Sequence, residues 1–210
     1  MAEAETATNP LRLVALAFTI KAELTKALEV APGHLDARLD LVRFLIRTPS
    51  LVGGDADEAR EEAKELAARD AGLGHFASGY ILYREKSYGP ARRELTEAVR
   101  LASTPERKAL AMRWLGWLSQ ETQQYPTAFA MFTALGDPYE VGRTAVFCSC
   151  ELAKGEAALR TVKSALGRYY LGLLYEKRGD LPAARREVEA AYRMDPKIAG
   201  IKEARKRLKR

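Results

Sequence analysis

Catalytic side chains are scarce in this sequence. Among its 210 residues there are only two histidines, His34 and His75, and neither has a nucleophile or an acid predicted beside it. An imidazole without such a partner does not make an active site. His34 follows Pro32 and Gly33 just ahead of a predicted helix, where a solvated helix cap is the simplest interpretation. The sequence therefore predicts that the protein is not an enzyme.

Cysteine is equally rare. Cys148 and Cys150 are the only two, and they lie two residues apart in a segment predicted to be one helix. Their side chains would then diverge by about 200°, so we expect no disulfide between them and a place on a buried helix face. No Cys/His cluster has metal-ligand spacing. Gly72 and Gly74 follow no predicted strand, and no phosphate-binding Gly-Lys-Ser/Thr motif is present. We expect no metal and no cofactor.

Long hydrophobic runs are missing too. The stretch 13–18 is among the longest, far below the 18 or more residues of a membrane helix, so no membrane span is expected. Residues 1–6 are acidic and lack the basic and apolar regions of a signal peptide. The expectation is a soluble protein, either cytoplasmic or, if an export signal was removed, periplasmic.

The net charge of +6 belongs to one end of the chain. Residues 197–210 contain seven Lys and Arg against one acid, Glu203, so residues 1–196 sum to zero. Two interpretations stay open: a terminal capping helix with a polar outer face, or attraction to nucleic acid or an anionic surface. No aromatic residue lies among these charges, which disfavours a platform for stacking single-stranded nucleic acid.

A repeated spacing of small and apolar residues is the main positive feature. Its positions are Gly172, Ala184, Val188 and Ala191, separated by steps of 12, 4 and 3. The same steps recur at Gly79, Ala91, Leu95 and Ala98, and at Gly116, Ala128, Phe132 and Leu135. Small residues 12 apart let two antiparallel helices cross closely, and the later positions continue the apolar stripe of the second helix. Such a hairpin cannot bury its apolar face alone, so it is expected to stack on copies of itself.

This spacing resembles the tetratricopeptide repeat, whose pattern is W-x2-L-G-x2-Y, then A-x3-F, then P. Residues 165–196 match best, through Leu171, Gly172, Tyr175, Ala184, Val188 and Pro196. Other copies depart from it: Met112 replaces the Trp, and Ser78 replaces the Leu. The resemblance, to a bacterial branch with no assigned activity, implies an all-α, TPR-like right-handed superhelix of about five antiparallel helix hairpins with a terminal capping helix.

The expected organisation is a single solenoid domain over residues 1–210. Its parts are a flexible lead (1–8), a degenerate first unit (9–31), repeats at 34–69, 72–102, 105–135, 138–164 and 165–196, and a basic capping helix (197–210). In the fourth repeat the first helix is expected over 138–153, with Gly155 opening a short second helix. The turn Pro49–Gly54 contains a five-residue insertion, since Val42 and Ala59 are 17 positions apart instead of 12. This turn is either structural or an exposed partner contact.

The resemblance also places binding residues on the first helix of each repeat, which lines a concave groove. The candidates are Arg43, Phe76, Tyr80, Tyr83, Arg84, Arg113, Trp114, Trp117, Gln120, Tyr169 and Lys177. Aromatic side chains beside arginine anchor many peptide interfaces, so Tyr80, Trp114 and Trp117 are predicted to lie partly exposed on one strip. Packing of Trp114 and Tyr83 between repeats is the open alternative.

The predicted function is a non-catalytic protein–protein interaction scaffold that binds a peptide or protein segment in this groove. The alternative is nucleic-acid or anionic-surface binding through the basic C-terminal helix. A protein or peptide partner is expected, nucleic acid is disfavoured, and a homodimer stays open. Some relatives clamp a chaperone's terminal carboxylate with Lys and Asn at inner positions. Leu39, Arg43 and Phe76 stand at such positions here, so that activity is not carried over.

Overall fold

The structure is a computed structural model, and it describes residues 10–209. The predicted flexible lead lies outside the described residues. Within that range there are twelve α-helices and no β-strand. They are α1 (Pro10–Val30), α2 (Leu35–Arg47), α3 (Ala56–Arg69), α4 (Ala71–Arg84), α5 (Tyr88–Leu101), α6 (Pro105–Glu121), α7 (Tyr125–Ala134), α8 (Pro138–Cys148), α9 (Leu152–Leu159), α10 (Ala165–Lys177), α11 (Leu181–Met194) and α12 (Ile201–Leu208). The all-α helical repeat architecture is confirmed.

Successive helices pack as hairpins in the order that the spacing predicts. The strongest examples are α4 with α5 and α10 with α11. The chain divides into two compact units, and the division falls within α6, between Trp114 and Leu115. The first unit is built on buried residues such as Leu45, Leu66 and Phe76, and the second on residues such as Phe132 and Leu174.

Close helix crossings occur at the repeated glycines. A Cβ added at Gly79 would lie 2.9 Å from the Leu95 Cγ, and one added at Gly116 would lie 2.6 Å from the Phe132 Cζ. At Gly172 it would lie 2.6 Å from the Val188 Cγ2. In each case the partner is the residue 16 positions later, as the steps of 12 and 4 predict. The glycines are therefore needed for close approach.

Acidic side chains begin several helices. The Asp55 carboxylate accepts hydrogen bonds from the backbone N–H groups of Asp57 and Glu58, at 2.9 and 3.0 Å. Asp137 accepts from the Glu140 N–H at 3.1 Å. These bonds satisfy N–H groups that have no partner inside the helix, and they fix where α3 and α8 start. His34 acts in the same way, since its Nδ1 accepts from the Ala37 N–H at 3.2 Å.

The fourth hairpin differs from the sequence prediction. Its first helix ends at Cys148 rather than near residue 153, because Ser149 and Glu151 take left-handed backbone angles, with φ of 55° and 50°. The second helix starts at Leu152 and contains Gly155 instead of beginning there. A Cβ at Gly155 would lie 2.4 Å from the Ala145 Cβ, so this glycine permits the close crossing of α8 and α9.

This break also makes the prediction of unbridged cysteines wrong. Cys148 and Cys150 form a disulfide. In a continuous helix the two side chains would diverge, but the chain leaves the helix after Cys148 and turns Cys150 back toward it. The predicted buried helix face is wrong as well, since Cys148 is half-buried and Cys150 is exposed.

Alkylation tests this disulfide directly. We expect protein purified without reductant to leave both cysteines unmodified by iodoacetamide, because a disulfide sulfur is not a nucleophilic thiolate. After reduction and mild denaturation, intact-mass spectrometry should show two alkyl groups. Uptake of two groups before reduction would contradict the bridge.

The C-terminal helix covers the end of the second unit. Ile201, Ala204 and Leu208 of α12 are buried and belong to its apolar core. Part of the positive charge is paired: Arg205 bonds Glu189 at 2.9 Å, and Arg207 bonds Glu176 at 2.7 Å. These contacts support the capping interpretation of the tail.

Candidate functional site

The first unit contains a groove of about 740 Å³ between α1 and α2. One wall is apolar and is formed by α1, and the other carries charged side chains of α2. Its floor includes Val52 from the inserted turn. The main lining residues are Leu13, Leu16, Ile20 and Leu24 on one side, and Asp40, Arg43 and Arg47 on the other.

Residues of α1 outside the apolar row hold this helix against α3 and the inserted turn. The Lys21 ammonium forms an ion pair with Glu58 of α3 at 2.6 Å. Phe18 and Lys21 also lie over the inserted turn, since a Cβ added at Gly53 would meet their side chains at 3.8 and 3.6 Å. Leu16 and Ile20 line the groove and are 52% and 41% exposed.

The inserted turn has a structural role. Gly53 has a left-handed φ of 99°, and a Cβ on Gly54 would lie 1.8 Å from the Thr48 carbonyl oxygen. Only glycine fits both positions, so the turn closes tightly beneath α1. Pro49 and Val52 at the same time form part of the groove wall.

Arginines dominate the charged wall of the groove. Arg43 is held by Asp40 at 3.0 Å, and its guanidinium lies 5.6 Å from the centre of the Phe76 ring. Burial raises the pKa of the Tyr80 phenol, while the positive charges of Arg47, Arg84 and Arg43 act in the opposite direction. Three guanidinium groups therefore act electrostatically on one buried phenol.

Two predicted groove aromatics are core residues instead. Phe76 and Tyr80 are each only 2% exposed, so the prediction that Tyr80 lies partly exposed on a binding strip is wrong. The reason is packing: the Tyr80 ring lies edge-on to Trp114 at 4.8 Å and stacks on Phe76 at 6.4 Å. Tyr83 contacts the same Trp114 ring at 5.4 Å. Trp114 and Tyr83 are half-buried, in agreement with the packing alternative.

In the second unit, Trp117 and Gln120 belong to a polar network around a buried carboxylate. The Trp117 Nε1–H donates to Glu140 at 3.0 Å, and the Gln120 amide donates to Thr144 at 2.6 Å. Arg143 pairs with the same Glu140 at 2.7 Å. Gln120 is buried, so it cannot present its amide to a partner as predicted.

The remaining candidates are scattered. Arg84 and Arg113 are exposed, Tyr169 is 8% exposed, and the exposed Lys177 donates to the Ser149 hydroxyl at 2.7 Å. Tyr169 is therefore mainly a packing residue, contrary to the prediction.

A cluster of aromatics in the second unit was missed. Tyr170 lies edge-on to Tyr139 at 5.5 Å and to Phe147 at 6.3 Å, and the Arg143 guanidinium lies 5.1 Å from the Phe147 ring centre. Burial, followed by the neighbouring Tyr170, raises the pKa of Tyr139 to about 12. The available signal was position along the chain: Tyr139 and Phe147 lie on α8 and Tyr170 on α10, the first helices of neighbouring hairpins.

No group of three or more His, Cys, Asp or Glu side chains in the described range 10–209 is arranged to hold a metal ion. The expectation that His75 has no acid beside it is wrong, because its Nδ1 lies 2.8 Å from the Glu94 carboxylate. None of the helices described is both long and apolar enough to cross a membrane.

Comparison with solved structures identifies similar folds. YrrB, described as a TPR protein with an unusual peptide-binding site, is 15% identical with a TM-score of 0.63, over 87% of this chain and 97% of its own. A tetratricopeptide repeat protein from Parabacteroides merdae is 14% identical with a TM-score of 0.55, over 100% of this chain and 89% of its own. MamA (41-end) from Desulfovibrio magneticus is 16% identical with a TM-score of 0.59, over 77% of this chain and 97% of its own.

Sequence comparison alone gives no such likeness: no protein-family model matches the chain, and no curated protein matches it significantly. The structural likeness spans most or all of each protein compared. It agrees with the glycine-mediated hairpin crossings and with the order of the helices. The chain has the tetratricopeptide-repeat fold.

Proposed function

We propose that this protein is a non-catalytic interaction scaffold that binds a peptide or protein segment, and that the groove between α1 and α2 is the binding surface. The observation that carries the proposal is the exposed apolar wall of α1. Leu13, Leu16 and Ile20 are 54%, 52% and 41% exposed and lie side by side along one groove. Contiguous apolar surface rimmed by polar groups is typical of an interaction site.

The fold supports the same conclusion. Stacked helical repeats create extended surfaces that are suited to binding other chains. The similar fold of YrrB, described as having an unusual peptide-binding site, agrees with a peptide partner for this chain. Fold likeness alone does not fix function, so the proposal rests on the groove.

The site differs from the one predicted from sequence. Of the predicted candidates, Arg43 lines the groove, and Arg84 is exposed close to Tyr80. The aromatic residues Phe76 and Tyr80 are buried, and Phe76 lies beneath the Arg43 guanidinium. Apolar residues of α1 supply the contact area that the aromatics were expected to supply.

The test is affinity capture from a lysate of the source cell. We expect the double substitution Leu16→Glu and Ile20→Glu to abolish capture of the partner retained by the wild-type chain, because two carboxylates would be placed in an apolar contact. Mass spectrometry identifies and quantifies the captured protein.

A matched control places the same charges on other exposed leucines. Leu166 and Leu181 are 44% and 46% exposed and lie in the second unit. Leu166→Glu with Leu181→Glu should retain the partner. Equal capture by wild type and both double variants would show that binding takes place outside the groove.

A further inference from the structure

The first described helix lacks a packing neighbour that its counterparts have. In the second unit, α8 packs both against α9, its partner in the hairpin, and against α10, the first helix of the next hairpin. By sequence, α1 corresponds to the second helix of a hairpin, because Leu24, Ala27 and Pro32 match the end of a repeat. A first helix belonging to α1 would, by the same rule, lie against α1 and α2. No described helix lies there, and this is where the groove is.

The shape of the apolar wall suits a helix. Leu13, Leu16, Ile20 and Leu24 follow one another at steps of 3, 4 and 4, so they form one row along α1. The row spans about 16 Å, or three helical turns. Such rows pack against the side-chain rows of a second helix.

The charged side chains of α2, on the wall opposite α1, determine which kind of partner fits the groove. Arg43 and Arg47 line the groove with Asp40, which already pairs with Arg43. Arg47 and Arg84 form no ion pair with any described residue. The groove therefore offers an apolar row on one side and, on the other, the Arg47 guanidinium, which has no ion pair within the described part of the chain, beside the Arg43–Asp40 pair.

We propose that the groove binds an acidic amphipathic α-helix of a partner protein, about three turns long. Its apolar stripe packs on Leu13, Leu16 and Ile20, and carboxylates along one flank pair with Arg43 and Arg47. This inference rests on the proposed function and adds the chemistry and secondary structure of the partner. It follows the helix-in-groove mode of recognition, with arginine supplying bidentate carboxylate contacts.

The charge of α1 argues against a second copy of this chain as the occupant. Helix α1 carries three basic residues, Arg12, Lys21 and Lys26, against two acids, Glu23 and Glu29. Its net charge of +1 would add to the positive wall instead of neutralising it. A carboxylate-rich helix has the complementary charge.

The test is a displayed library of 14-residue helices. Leucines are fixed at steps of 3, 4 and 4, and the flanking positions vary among Glu, Gln and Lys. Selection on the full chain is expected to enrich Glu on one flank. The selected peptide, labelled with fluorescein, is then measured by fluorescence anisotropy and circular dichroism. We expect helix formation on binding and at least about tenfold weaker binding to Arg47→Glu, about 1.4 kcal/mol.

Charge reversal provides the sharpest outcome. Selection on the double variant Arg43→Glu with Arg47→Glu should enrich Lys on the same flank. The control is Arg93→Glu, an exposed arginine of α5, on which selection should again enrich Glu. Light scattering with and without peptide reports whether a second copy competes for the groove.

The outcomes separate the two proposals. The proposal of an acidic helix would be overturned if the enriched peptides showed no charge preference on the flank. It would also be overturned if the Arg43→Glu, Arg47→Glu variant did not reverse that preference. In both cases the groove would still be a binding site. The same follows if no peptide is enriched while lysate capture still depends on Leu16 and Ile20. A dimer that dissociates only in the Leu16→Glu, Ile20→Glu variant would assign the groove to a second copy and also overturn the inference.

Discussion

A chain that lacks residues 197–210 is expected to be markedly less stable and to self-associate. The deletion removes Ile201, Ala204 and Leu208, which are at most 4% exposed. Burial of the Ile201 and Leu208 side chains is worth roughly 3–6 kcal/mol in all, as an upper estimate. Chemical denaturation should show the loss as a lower midpoint, and light scattering should show oligomers formed through the uncovered apolar surface.

A variant that removes charge from the C-terminal helix but keeps its buried face distinguishes a capping role from an electrostatic role. Lys202, Lys206 and Lys209 are exposed, so their replacement by Gln removes three charges without touching the buried face of α12. We expect its stability to remain within about 0.5 kcal/mol of wild type. A deletion chain that stays stable and monomeric would refute the capping role. RNA or anionic-vesicle binding lost in both variants would then favour the electrostatic alternative.

The regular part of the fold could be predicted because it depends on short, repeated spacings. Gly79, Gly116 and Gly172 each meet the residue 16 positions later, and this relation is visible without coordinates. Caps such as Asp55 and Asp137 could likewise be predicted, since a carboxylate ahead of a helix has a local hydrogen-bonding role.

The helix bounds of the fourth hairpin could not be predicted in the same way. Its helix ends at non-glycine residues in left-handed conformations, Ser149 and Glu151, which carry no strong local signal. The disulfide between Cys148 and Cys150 follows from that break. In a continuous helix the two side chains would point in different directions, so the sequence alone predicts that the two sulfur atoms lie apart.

The candidate site could be predicted only in part. A helical register places Phe76 and Tyr80 on the inner side of α4, but it does not say which neighbours cover them. Trp114 packs on Tyr80 and the Arg43 guanidinium lies over Phe76, whereas the exposed apolar residues of the groove belong to α1. The row Leu13, Leu16 and Ile20 looks like any core-facing stripe in sequence, because periodicity cannot reveal that a packing partner is missing.

The second large effect is expected at Gly172, the crossing point of α10 and α11. A Cβ there would already lie 2.6 Å from Val188 Cγ2 and 3.2 Å from the Ala184 carbonyl oxygen. Gly172→Leu adds three further carbons to a site whose neighbours Ala184 and Val188 are at most 1% exposed. By comparison with other overpacked cores it should cost ~1–3 kcal/mol, and the denaturation midpoint measures this.

Gly89 provides the control for this substitution. It lies in α5, and a Cβ added to it meets nothing within 4 Å. Gly89→Ala should therefore leave stability unchanged or raise it by about 0.4–1 kcal/mol, because alanine restricts the unfolded chain. If Gly172→Leu were as stable as wild type, α10 and α11 would not cross closely at this glycine. A loss at Gly172 with none at Gly89 would instead locate the effect in the hairpin crossing, since both changes replace a helical glycine.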